Sequence, residues 1–214
     1  MANLSEPAKE RLLQLLRLFE KQVQAGDSLP LSSARVQQLT GWSRETIRKD
    51  ISSLNLALGG LEGAGGSAGY DPETLLPLIK KALGLEKRRK FCVVGLGRLG
   101  SAYLNFAPPE LAGFELAAGF DTNVNRTEIL KSPAPLYPAY KMAEVISRFA
   151  IEIGLLCVPA GAAQNSAERL AAAGIRGILN FAPVHITVPP GIAVRNVYFA
   201  DELRALSIKI ADGG

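Results

Sequence analysis

Three glycines in the run Gly95-Leu96-Gly97-Arg98-Leu99-Gly100, together with one acid, Asp121, carry the most specific chemistry in this 214-residue sequence. When such a run follows a strand and opens a helix, each glycine has its own task. Gly95 allows the tight turn, Gly97 lets the backbone approach a pyrophosphate, and Gly100 lets the helix lie close to the strand. The run follows Phe91 to Val94, an apolar stretch that reads as a strand, and the helix it opens aims free N–H groups and its positive dipole end at phosphates. Asp121 ends a second apolar stretch, Phe114 to Phe120, 21 residues beyond Gly100. A carboxylate there accepts hydrogen bonds from an adenosine ribose, and a 2′-phosphate would meet a like charge, which favours NAD over NADP. Leu96, Arg98 and Leu99 complete the candidate cradle, Arg98 being either a phosphate contact or an exposed cation.

Other chemistry is scarce. The single histidine, His185, lies in Ala182-Pro183-Val184-His185 near a strand end and reads as structural or exposed rather than as a general base. Cys92 and Cys157 sit inside apolar runs, which fits core packing better than a disulfide or a reactive thiol. One histidine and two cysteines are too few good ligands for zinc, and no metal is expected. After the cradle, the chain is long enough to complete a nucleotide-binding sheet and one terminal helix but not a substrate domain, so no catalytic residue and no enzymatic activity are expected.

A second set of residues points to another polyanion. Ser43, Arg44, Thr46, Arg48 and Lys49 fall on one side of a short helix, with Ile47 and Ile51 on the other, and the polar set can hydrogen-bond bases and phosphates. The net charge of +4 points the same way: residues 1 to 90 hold 14 Lys and Arg against 10 Asp and Glu, and residues 91 to 214 hold 10 against 10.

The elements that must position these groups divide the chain in three. Leu12, Leu13, Leu15, Leu16, Leu18, Phe19 and Val23 recur at helical spacing from Glu10 to Val23. Ser32 or Ser33 can cap a second helix bearing Val36 and Leu39; Gly41 permits a tight turn, and Ser43 caps the third helix, a helix-turn-helix pattern. Six of the eleven residues from Gly59 to Gly69 are glycine, which reads as a wing or hairpin. Asp71-Pro72-Glu73 starts a further helix running to about Leu83. Residues 84 to 90, with Lys87-Arg88-Arg89-Lys90, read as the domain junction, its charge run either a solvated linker or a DNA-backbone contact. Beyond it, the apolar runs Phe91 to Val94, Phe114 to Phe120, Glu152 to Val158 and Gly177 to Leu179 alternate with helical stretches, the rhythm of a parallel sheet covered on both faces. Tyr198 to Ile210 forms a last amphipathic helix whose apolar face needs a partner. The expected fold is α/β: a winged helix-turn-helix domain (1–86), a Rossmann-like doubly wound parallel sheet domain (87–196) and a C-terminal helix (197–214). No apolar run has the roughly 18 to 20 residues of a membrane span, and Met1 to Glu10 has no hydrophobic signal core, so a cytoplasmic location is expected.

Ser43 to Asp50 (SRETIRKD), Gly95 to Ala102 (GLGRLGSA) and Gly174 to Pro183 (GIRGILNFAP) resemble, in the same order, the Rex family of redox-sensing repressors. That resemblance implies a homodimer with its C-terminal helix exchanged between subunits, bound to an AT-rich palindromic operator. It implies that NADH releases the DNA and that NAD+ competes for the same site. It assigns Val158, Pro159, Asn180, Phe181 and Pro183 to the nicotinamide half of the pocket. In the family, an aspartate near the start of the last helix pairs with a tyrosine in the first Rossmann helix or an arginine in the first helix of the chain. Arg11 preserves the arginine, whereas the tyrosine position holds Phe106 and the aspartate position holds Tyr198, with Asp201 three residues on. The wing departs as well, being longer and carrying Glu62 as its one charge. Two other readings stand beside the sensor: a relative that binds DNA but answers weakly to redox state or to another adenine nucleotide, and a nucleotide- or coenzyme-A-binding enzyme subunit.

Overall fold

The computed structural model describes residues 4–27, 29–58, 69–106, 111 and 113–213. The chain divides into two units, Met1–Lys87 and Arg88–Gly214.

In the first unit, α1 (Glu6–Gln24) buries Leu12, Leu15, Leu16 and Phe19, one stripe at helical spacing, and begins four residues before the predicted start. Burying each such side chain contributes about 1.5–3 kcal/mol. The stripe packs with Val36 of α2 (Ser33–Thr40), with Ile47, Ile51 and Leu54 of α3 (Arg44–Ala57), and with Leu75 and Ile79 of α4 (Pro72–Ala82). Gly41 closes α2 in the left-handed conformation, φ +76°, and the Ser43 hydroxyl caps α3 by accepting the Thr46 N–H at 3.1 Å. Asp71 caps α4 through the N–H groups of Glu73 and Thr74. The predicted wing at 59–68 lies outside the described residues. At its far end Tyr70 pairs antiparallel with Leu31, ahead of α2, exchanging N–H bonds of 2.8 and 2.9 Å.

In the second unit, six parallel strands stand in the order β3-β2-β1-β4-β5-β6. They are β1 (Arg89–Val94), β2 (Phe114–Asp121), β3 (Leu136–Pro138), β4 (Ile153–Leu156), β5 (Gly177–Asn180) and β6 (Ala193–Asn196). This is the doubly wound dinucleotide-binding order, whose crevice lies at the carboxyl ends of the strands where the order reverses. The reversal falls between β1 and β4. The helices are α5 (Arg98–Leu104), α6 (Val124–Ile129), α7 (Met142–Phe149), α8 (Ala160–Ala172) and α9 (Phe199–Ala211).

Two expectations need correcting. Arg89 and Lys90 belong to β1 and not to a linker: Arg89 donates to Glu152 at 2.7 Å, a carboxylate that also takes Arg176 at 3.3 Å. Because Arg88, Arg89 and Lys90 fall in the second unit, the first keeps 11 Lys and Arg against 10 Asp and Glu. The cationic excess read in the N-terminal part is therefore not a property of that unit. Among the described residues of one chain, helices lie on both faces of the sheet, more fully on one than on the other. Val94, Phe120, Leu156, Ile178 and their neighbours are buried beneath α7 and α8. On the other face α5 covers Phe91 and Val93, while Ile153, Leu155 and Leu179 alternate as half-buried positions. A cleft of about 340 Å³ runs there, lined by Phe91, Tyr103, Phe106, Ile153, Leu155, Leu179 and Phe181 among others. Meanwhile α9 buries none of its side chains: Phe199 is 74% exposed and Ile210 70%. Among the described residues, no helix is long and apolar enough to cross a membrane.

Candidate functional site

The glycine run sits at the reversal point of the sheet. Gly95 leaves β1 with φ +88°, and an added Cβ would stand 2.6 Å from the carbonyl oxygen of Cys157, at the end of β4. Any side chain at Gly100 would overlap the Gly95 carbonyl oxygen, so α5 is seated on the turn it follows. Gly97, the residue preceding α5, meets nothing within 4 Å. The open glycine is the one whose backbone a pyrophosphate would approach, and the first turn of a helix leaves N–H donors without intrahelical partners. Leu96 turns its side chain into the core at 2% exposure, whereas Arg98 and Leu99 are exposed.

Asp121 lies beside this loop at the end of β2. It is 4% exposed. Its Oδ2 accepts the Leu96 N–H at 2.7 Å and Arg126 Nη1 at 3.3 Å, and its Oδ1 accepts the Asn123 N–H at 2.7 Å. The carboxylate thus ties the β1–α5 loop to the turn after β2. Arg126 was missed in the sequence, although its place in the first helix after Asp121 was a signal.

Val158 is half-buried against the Gly95 turn, and Pro159, just before α8, is exposed. Asn180 is wholly buried, its amide donating to the Val184 carbonyl at 2.8 Å and to Asn196 Oδ1 at 2.9 Å while accepting the Ala182 N–H at 3.0 Å. It positions the loop bearing Phe181 and Pro183. Gln164 of α8 holds the same loop farther on, exchanging bonds with the Thr187 backbone at 2.9 and 3.0 Å. The Phe181 ring lies 5.2 Å from Tyr103, which in turn meets Phe106 edge-on at 6.1 Å. Phe181 therefore lines the apolar cleft together with Tyr103 and Phe106.

Burial pushes both the Cys92 and the Cys157 thiol up to about 12, so each stays protonated and unreactive at neutral pH. His185 is exposed. Among the described residues, no group of three or more His, Cys, Asp or Glu could hold a metal ion.

In the first unit, Ser43, Arg44, Arg48 and Lys49 are exposed on α3 and Thr46 is half-buried, with its hydroxyl 2.9 Å from that of Ser43. Arg44 also donates to Gln37 on α2 at 3.1 Å. Arg11, expected to be a switch residue, grips Asp50 with Nε and Nη2 at 2.6 and 2.8 Å. The carboxylate raises the guanidinium pKa. Asp50 was overlooked, yet it falls on the same stripe as Ile47, Ile51 and Leu54, where an acid needs a cationic partner. Of the other switch candidates, Phe106 is 55% exposed just past α5, Tyr198 precedes α9, and Asp201 pairs within α9 with Arg204 at 2.6 Å.

Comparison with known proteins extends these observations. Residues 86–184 match the family model described as a CoA binding domain. The redox-sensing transcriptional repressor Rex of Ligilactobacillus salivarius (strain UCC118) is 37% identical over 176 residues, 82% of this chain and 80% of that protein. Its counterpart of the same name from Rhodopirellula baltica is 35% identical over 209 residues, covering 98% and 85%. The crystal structure of RSP, a Rex-family repressor, in complex with β-NAD+ and operator DNA superposes with a TM-score of 0.84 at 30% identity, covering 99% of this chain and 94% of that one.

Proposed function

This chain belongs to the Rex family of redox-sensing transcriptional repressors, and on that premise we propose that it represses transcription from operator DNA and releases the DNA when NADH binds. The observation that carries the reading is the match, along nearly the whole chain, to a repressor solved with both a nicotinamide dinucleotide and operator DNA. The chain's own geometry supports it. Gly95, Leu96, Gly97, Arg98, Leu99 and Gly100 form the pyrophosphate cradle, Asp121 braces it beside the adenosine ribose, and Val158, Pro159, Phe181 and Pro183 border the nicotinamide end, with Asn180 as the residue that sets their loop. NADH and NAD+ compete for this site. Ser43, Arg44, Thr46, Arg48 and Lys49 of α3 meet an AT-rich palindrome, phosphates through the cations and base edges through the hydrogen-bonding groups.

The working form is a homodimer in the cytoplasm. The half-open sheet face and the unburied apolar side of α9 are complementary surplus surfaces within one unit, and a second copy of α9 lying in the cleft, one exchanged each way, satisfies both at once. The chain acts as a regulator, with no turnover of its own.

One observation favours a variant of this reading in which the redox response is weakened. Arg11 is held by Asp50 and Asp201 by Arg204, while Phe106 lacks the phenol of the family's tyrosine. A ligand shifts a conformational equilibrium only by the difference in its affinity for the two states, and these substitutions fall among the contacts expected to create that difference. Fluorescence anisotropy on a labelled AT-rich palindrome, titrated with NADH, NAD+ and ATP, separates the readings. The sensor loses its DNA on NADH addition and regains it with excess NAD+. The weakened variant binds DNA and keeps it. A chain that binds no palindrome at low salt, or consumes NADH steadily, is neither.

A further inference from the structure

The nicotinamide end assigned above draws its residues from two separate connections. Val158 and Pro159 lie between β4 and α8, and Phe181 and Pro183 lie between β5 and β6. Residues 181–192 of the second connection hold neither helix nor strand. Such a segment keeps one shape only where its backbone groups find partners. Asn180 serves its near part, through the Ala182 N–H and the Val184 carbonyl. Farther on, Ile186 and Val188 pack against the main core of the sheet while Thr187 between them is exposed, and Pro189 and Pro190 bring no N–H at all.

The N–H and the carbonyl of Thr187 are both met by one side chain, Gln164. Its Oε1 accepts the N–H at 2.9 Å and its Nε2 donates to the carbonyl at 3.0 Å. A primary amide carries two hydrogens, and the second goes to Glu168 Oε1 at 2.9 Å, one turn along α8. The Gln164 amide thus stands where the peptide group of a neighbouring strand would stand, with Glu168 fixing its rotation. It adds nothing to the core: α8 packs through Ala163, Ala167 and Leu170, and Gln164 is exposed. What it does is tie the connection after β5 to the second turn of the helix that begins directly after Pro159.

Resting on the dinucleotide reading above, we infer that Gln164 is a positioning residue for the nicotinamide half of the ligand, holding the loop of Phe181 and Pro183 at a fixed spacing from Val158 and Pro159. Calorimetric titration of the full chain tests this with NADH and with ADP-ribose, which lacks only the nicotinamide ring. Gln164→Ala weakens NADH at least about fivefold and ADP-ribose less than about twofold, and it speeds exchange of the Thr187 amide hydrogen. Gln164→Glu combined with Glu168→Gln keeps an acceptor for the Thr187 N–H and a bond along the helix, and recovers part of the NADH loss. If Gln164→Ala does not fold, Thr187→Pro deletes the same N–H from the loop side and gives the same split between the two ligands. NADH and ADP-ribose weakened in equal proportion, or NADH unchanged, overturns the inference and leaves the dinucleotide site in place. If the unmodified chain binds neither compound, the dinucleotide reading fails, and this inference with it.

Discussion

Arg11 on α1 and Asp50 on α3 are joined by two hydrogen bonds of 2.6 and 2.8 Å, and Asp50 is the only acid on α3's buried stripe. The pair fixes the rotation of α3 about its own axis, and with it the direction in which Arg44, Arg48 and Lys49 point. Removing Arg11 leaves the Asp50 charge buried and unanswered, and removing Asp50 leaves Arg11 half-buried without its partner. Arg11→Ala or Asp50→Ala should each destabilise the first unit by about 3 kcal/mol, the low end of the range for broken buried pairs because the Arg11 side chain is 27% exposed. An Arg11→Met, Asp50→Leu double variant should recover most of that loss. Urea unfolding followed by circular dichroism measures all three, and a double variant no more stable than the singles would contradict this account.

The three glycines should fail differently. Gly100→Ala drives a methyl into the Gly95 carbonyl and should lower stability by about 1–3 kcal/mol as well as abolishing NADH binding. Gly97→Ala adds a methyl to open space. It should leave the thermal midpoint almost unchanged while weakening NADH by about tenfold or more, since only the bound pyrophosphate meets the new group. Differential scanning fluorimetry with and without NADH reads both effects, and equal losses of stability in the two variants would refute the distinction.

Alkaline pH should weaken the fold through its thiols. Burial raises Cys92 and Cys157 to about 12 from an ordinary 9.0, so the folded state keeps protons that the unfolded chain sheds. The stabilisation is complete below pH 9 and is lost as pH climbs toward 12, at a slope of about 1.4 kcal/mol per pH unit for each thiol that stays fully protonated. Tyr70 and Tyr103, also raised by burial, add to the slope in the same sense. Urea midpoints at pH 8 and pH 10.5 should diverge less in Cys92→Ala than in the unmodified chain; an unchanged divergence would show that Cys92 contributes nothing to it.

The terminal helix should carry assembly. Leu203→Asp with Leu206→Asp places two charges on the apolar side of α9, where both leucines are about half exposed in a single chain. Light scattering coupled to size exclusion should report a shift from dimer to monomer, with increased binding of an apolar dye at the uncovered cleft. A dimer that survives these substitutions is held by some other surface.

What the sequence made legible follows from where the information lies. Strands β1, β2, β4 and β5 are the interior of the sheet and read as apolar runs. The two that escaped, β3 (Leu-Tyr-Pro) and β6 (Ala-Val-Arg-Asn), are its edges, where one side is unpaired and charge and proline are tolerated. Arg89 and Lys90 read as linker because the charge run hides that the strand has already begun, its first guanidinium answered by Glu152 from 63 positions away. In the cradle the glycines are local geometry, and their spacing spells it out. The commitment of Asp121 is not local: it depends on the Leu96 N–H, 25 residues earlier, turning toward it. Arg11 and Asp50, 39 apart, are invisible to each other until α1 and α3 pack.

The unevenly covered sheet has a consequence for how much of the protein must be present. A core finished by a second copy's helix has a folding free energy that includes a mass-action contribution, and each tenfold dilution of the chain removes about 1.4 kcal/mol from it. Ile153, Leu155 and Leu179 would be sealed only above a threshold set by expression level. Gene dosage then becomes an input in its own right, setting what share of the chain is assembled before any nucleotide is sampled.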